Sequence, residues 1–117
     1  MEDRFSQQLK KGVLEMLVLK LICEKPTYGY ELLTALKETS KGRFTLKEGT
    51  LYPILYRLED DGLIHAEWSQ GQGRMAPKKM YAATEAGREE NARRLAVWQN
   101  FKDTVSGFME GENHDER

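Results

Sequence analysis

Residues 47–64 read KEGTLYPILYRLEDDGLI. Leu51, Ile54, Leu55 and Leu58 recur at the spacing of one helical face, a stripe that faces a core. The other face carries Lys47, Gly49, Thr50, Tyr52, Pro53, Tyr56 and Arg57. These groups hydrogen-bond or pair with anionic phosphates, and their rings and methyls can lie against bases. The segment is therefore read as a short two-faced helix, with Gly62 stopping it after Asp61. Its start has two readings: a T-x-x-E capping box from Thr45 to Glu48, or Lys47 itself.

Downstream, the period changes from helical to alternating. Ile64, Ala66 and Trp68 would share one strand face, and residues 78–83 form a second strand with Lys79, Tyr81 and Ala83 on one side. The loop between them contains Gly71 and Gly73. Between Gln70 and Tyr81 there are three cations, Arg74, Lys78 and Lys79, and no anion. A basic hairpin directly after a two-faced helix suits phosphate or minor-groove contact, although a hairpin tip kept in water by its charges would look the same.

Upstream, residues 9–24 read as a first helix with an apolar stripe of Leu9, Val13, Leu14, Met16, Leu17 and Leu21, ended before Pro26. Thr27 is placed as the cap of a second helix over residues 28–39, whose buried face is Leu32, Leu33 and Leu36 and whose end is Gly42. After the hairpin, Thr84 caps a long fourth helix to about Met109, and residues 110–117 form a tail without apolar anchors, expected to be disordered. The order is three helices, a hairpin and a long helix. That predicts a mainly α fold with a small β-hairpin: a winged helix-turn-helix domain over residues 1–83 and a dimerisation helix over 84–109.

The fourth helix carries a second pattern. Leu95, Trp98, Phe101, Val105 and Phe108 are separated by three, three, four and three positions, a seam like that of a coiled coil. Each large ring would bury ~150–250 Å², worth several kcal/mol at ~25 cal/mol per Å². The short helices use their apolar faces on one another, so a second copy is the simplest cover and a twofold homodimer is expected over a helix folded back on its own domain. Trp98 lies mid-seam. Two indoles near a twofold axis could stack a flat apolar ligand, and a plain interface tryptophan is the reading the residues alone favour.

Composition sets the outer bounds. A chain of 117 residues with 32% charged and 39% hydrophobic residues is a single ordinary folded domain, not a disordered one. Net charge is −1, yet residues 37–81 hold eight basic against six acidic side chains, so basic surface is available where the helix and hairpin lie. No apolar run spans a membrane and no secretory signal is present, and one cysteine, Cys23, fits a reducing cytoplasm. No catalytic set is visible: His65 and His114 are far apart in sequence, the acids Glu59, Asp60 and Asp61 lack histidine or convergent ligands, and there is no phosphate-cradling glycine loop. Neither enzyme, metal nor cofactor is expected.

KKGVLEMLVLKLI, TYGYELL, EGTLYPILYRLEDDGLI and KKMYAATEAGR together cover most of residues 10–110. In these segments the chain resembles the PadR family of bacterial transcriptional regulators, in its short form with a single C-terminal helix. The resemblance implies a homodimeric repressor that binds palindromic operator DNA and is released by an effector. It implies DNA contacts from Tyr28, from Lys47, Gly49, Thr50, Tyr52 and Arg57, and from the wing residues Arg74, Lys78 and Lys79. It also implies a planar apolar or phenolic effector at the dimer centre, with Trp98 in its wall. Met80 and Ala82 depart from the residues frequent at their positions in the family, which bears on wing contacts and not on the fold. The alternative is a winged-helix protein-interaction module without its own operator, since fold does not fix function.

Overall fold

The computed structural model describes residues 3–71 and 73–111. α1 spans Arg4–Glu24, five residues earlier than the apolar period indicates. The extra turn rests on Asp3, whose carboxylate accepts the amide of Ser6 at 2.8 Å. The apolar period is blind to this turn because it is largely polar. The residues of α1 that reach the core are Leu14, Val18, Leu19 and Ile22, whereas Leu9 stays exposed. The helix is apolar on more than one side because it has two neighbours, the core elements and the terminal helix.

Thr27 does not cap a helix. Thr27–Tyr28 is a short strand, β1, and α2 begins after it as Gly29–Thr39. The Thr27 hydroxyl instead donates to Glu31 at 2.6 Å, and Tyr28 stands at the N-cap without a side-chain bond. Lys41 and Gly42 both take positive φ at the end of α2, and the Gly42 amide closes back on the Lys37 carbonyl at 2.7 Å.

α3 is Glu48–Asp60, with Lys47 as N-cap. The Thr45 hydroxyl donates to the Gly42 carbonyl, so of the two possible starts Lys47 is the one used. β2, Ile64–Trp68, and β3, Lys79–Ala83, pair antiparallel from Ile64↔Ala83 to Trp68↔Lys79. β1 pairs with the other edge of β3 through Thr27↔Tyr81 and Tyr28↔Met80, so the sheet has three strands in the order β1-β3-β2. The expected face of Ile64, Ala66 and Trp68 runs from buried to exposed, and Trp68 is 70% exposed where the hairpin leaves the core.

The core is one cluster of α1, α2, α3 and the sheet, with Val18, Leu19, Leu51 and Leu55 fully enclosed and Tyr81 beside them. α4, Glu85–Glu110, starts at Thr84, whose hydroxyl oxygen accepts the Gly87 amide at 3.0 Å while its hydrogen goes to the Gly62 carbonyl at 2.7 Å. Gly87 is buried directly against the Leu63 carbonyl, where a β-carbon would collide with backbone. This fixes the root of α4, and its 26 residues then run some ~39 Å at 1.5 Å per residue. The tail expected at 110–117 lies outside the described residues, apart from Glu110 in the helix and Gly111 as its left-handed C-cap. Among the described residues no helix is long and apolar enough to cross a membrane.

Candidate nucleic-acid interface

α3 separates its two faces as its sequence spacing requires. Leu51, Ile54, Leu55 and Leu58 are buried, and Lys47, Gly49, Thr50, Pro53, Tyr56 and Arg57 are exposed. From Lys47 to Arg57 the outward face extends ~15 Å along the helix axis. A β-carbon built on Gly49 meets nothing within 4 Å, so backbone is open to a close approach here. Pro53 sits inside the helix and has no amide hydrogen to give to Gly49.

Tyr52 is half-buried and belongs to both faces. Its hydroxyl lies 2.5 Å from where a β-carbon of Gly29 would be, so glycine at the start of α2 is what lets the ring lie across it. The Tyr56 ring sits 6.5 Å from that of Tyr52, tilted by 41°. Tyr28 is joined to the wing: the Lys78 ammonium stands 4.2 Å above its ring, a cation–π contact. Lys79 lies 5.8 Å from the Tyr81 ring centroid, and Arg74 is exposed in the loop. The hairpin is closed at its base by Ser69, whose amide donates to the Lys78 carbonyl at 2.7 Å and whose hydroxyl accepts the Lys78 amide at 3.1 Å.

Arg57 differs from the other candidates. Its Nε donates to one carboxylate oxygen of Glu15 at 2.9 Å, and Nη2 lies 2.8 Å from the same oxygen in an ion pair. Nothing in the sequence spacing signals this partner, 42 residues away on α1. Tyr30 on α2 is 72% exposed, a ring outside the expected contact set, and Tyr56 on the outward face of α3 is 57% exposed. Lys10 and Lys11 open the KKGVLEMLVLKLI segment without standing in the expected contact set, and they share a groove with Lys47 and Thr50 beside the N-terminus of α3.

A separate apolar cleft runs between α1 and α4. A cavity of about 720 Å³ is lined by Leu9, Val13, Met16, Trp98, Phe101 and Val105, among others. A neighbouring one of about 400 Å³ has Glu15, Arg93 and Arg94 in its wall and shares Trp98. Arg93 and Arg94 both bond Glu90, at 2.8 and 2.7 Å, and those hydrogen bonds hold its carboxyl down at about 2. Of the expected seam, Trp98 turns into the cleft. Leu95, Phe101, Val105 and Phe108 keep 51, 61, 37 and 68% of their surface exposed.

Three helices, a winged sheet and a solvent-facing third helix are the parts of a winged helix-turn-helix protein. The model of the PadR-like family of transcriptional regulators matches residues 18–93. An uncharacterised protein of Lysinibacillus sphaericus is 32% identical over 101 residues, covering 86% of this chain and 92% of its own. The negative transcriptional regulator PadR of Bacillus subtilis is 31% identical over 93 residues, 80% of this chain, which spans half of that protein's length. The crystal structure of a PadR family regulator from Eggerthella lenta superposes with a TM-score of 0.78 at 33% identity, covering 91% of this chain and 89% of its own. The chain belongs to the PadR-like family: it is a transcriptional regulator, not an enzyme.

Proposed function

We propose that the chain is a homodimeric repressor, cytoplasmic, that binds palindromic operator DNA and is released by a small effector. Residues 1–83 form the DNA-binding domain and 84–109 the dimerisation helix. The observation that carries the reading is α3, with four buried leucine and isoleucine side chains holding a face of Lys47, Gly49, Thr50, Tyr52 and Tyr56 toward solvent. A major groove ~12 Å wide admits one such helix, and its N-terminal residues meet base edges. Tyr28, Arg74, Lys78 and Lys79 flank it for backbone or minor-groove contact, and Arg57 lies at its far end.

The exposed rings of α4 support the dimer. Phe101 and Phe108 are more than half exposed, as are Phe5 and Leu9 of α1, and a twofold mate would cover the rings of α4 while giving two recognition helices for two half-sites. The Trp98 cleft, apolar with polar groups at one end, is of the size and character of small-molecule sites and suits a planar apolar or phenolic effector. The B. subtilis relative is by name a negative regulator, which favours repression over activation.

Gel-shift titration with DNA from upstream of the gene tests the reading. A specific complex that weakens steeply with salt is expected. Thr50→Ala and Tyr52→Phe should change which sequences are preferred. No specific complex at low salt, together with a stable hetero-complex on purification, would instead establish a protein-interaction module.

A further inference from the structure

Glu15 lies on α1 between the core and the cleft. Its side chain is 26% exposed and forms part of the cavity wall with Gly12, Arg93, Arg94 and Trp98. From that position one carboxylate oxygen accepts Nε of Arg57 at 2.9 Å and lies 2.8 Å from its Nη2. Arg93 and Arg94 stand in the same wall but are bonded to Glu90. Among the described residues Arg57 is the one cation of the outward face of α3 with a carboxylate partner, and its side chain remains 58% exposed. A guanidinium has five N–H donors, so one carboxylate oxygen does not engage them all.

DNA gains affinity from a cation when phosphate contact releases condensed counterions. A guanidinium already neutralised by a fixed carboxylate brings little net charge to that exchange. We infer that Glu15 is a positioning residue for DNA recognition, an internal counter-ion that withholds the charge of Arg57 from the phosphate backbone. It does so from the wall of the cleft that also holds Trp98, so any movement of Glu15 in the cleft alters the charge that α3 presents to DNA. This rests on the DNA-binding reading and adds to it a residue that touches no DNA. It also changes the expectation for Arg57, whose phosphate contact becomes conditional on Glu15.

The test is fluorescence-anisotropy titration of the full chain against its upstream duplex and against a random duplex, each over a range of salt. The wild type, Glu15→Gln, Arg57→Gln and the double variant are compared, with a thermal midpoint for each. Glu15→Gln should bind both duplexes several-fold more tightly, with a slope of log K against log salt steeper by about one. Arg57→Gln should leave the wild-type slope nearly unchanged and should remove the extra unit in the Glu15→Gln background. An unchanged slope in Glu15→Gln, with a loss of about one on Arg57→Gln in both backgrounds, overturns the proposal. That result makes the pair a structural clamp beside an independent phosphate contact. If Glu15→Gln does not fold, Arg57→Gln decides alone: a retained slope supports the account and a loss of about one refutes it. Failure of the wild type to prefer its upstream duplex counts against the operator reading instead, and the random-duplex slopes still decide the role of Glu15.

Discussion

Tyr81 shows how much a single side chain on β3 is constrained by its place. It is 1% exposed, paired across the sheet with Thr27 and Ala66, and its hydroxyl has no hydrogen-bond partner among the described residues. Burial, with Tyr52, Glu59 and Tyr56 nearby, pushes the phenol up to about 12. The unfolded chain ionises this group near pH 10 and the folded chain does not. Its contribution is therefore fully present below pH 10 and is lost as pH rises from 10 to 12, on the order of 2–3 kcal/mol for a two-unit shift. Tyr81→Phe should be at least as stable as the wild type at neutral pH, because an unpaired buried hydroxyl costs ~1–3 kcal/mol. It should also lose less stability between pH 9 and 12, as measured by urea unfolding at each pH. At this scale the sequence is partly legible. The faces of α3 follow from spacing because helical periodicity is a local property. The Glu15–Arg57 pair, the Gly29 seat for Tyr52 and the Lys78–Tyr28 stack join residues far apart in the chain, and no local period encodes them.

At the scale of elements, long helices were readable and short pieces were not. α4 begins where Thr84 predicts, because an N-cap hydroxyl has a specific acceptor role that sequence displays. β1 is two residues long, too short to show alternation, and its Thr27 has the chemistry of a helix cap, so the local sequence reads as a cap where the chain forms a strand. The first turn of α1 is hidden from the sequence for the opposite reason: it has a cap, Asp3, but little apolar pattern behind it. Thr84 both caps α4 and ties it to Gly62 in the turn that follows α3. Thr84→Ala should cost about 1 kcal/mol, or roughly 4 °C in thermal midpoint, and Thr84→Ser should recover most of it. Circular dichroism melts of the three proteins check this. An alanine variant as stable as the wild type would mean that the Gly87–Leu63 contact alone roots the helix.

At the scale of the whole molecule, α4 makes the chain elongated, 68 Å in its longest extent against 21 Å in its shortest. A helix that projects with Phe101, Val105 and Phe108 exposed leaves apolar surface for a mate to bury. Phe101→Glu places a charge in that face while removing no core contact, so it should yield a folded monomer by light scattering where the proposal expects a dimer of the wild type. A dimeric Phe101→Glu would move the interface elsewhere. The seam itself was legible as a pattern, but whether Trp98 lies in it or in the cleft was not, since one helix face can serve both a neighbour in the same chain and one in another. The central claim, that two copies of α3 read two halves of one operator, is tested most directly by hydroxyl-radical footprinting on the DNA upstream of the gene. The account predicts two protected half-sites related by twofold symmetry, with centres one helical turn or a multiple of it apart. Uniform protection without symmetry, or none at low salt, would contradict it.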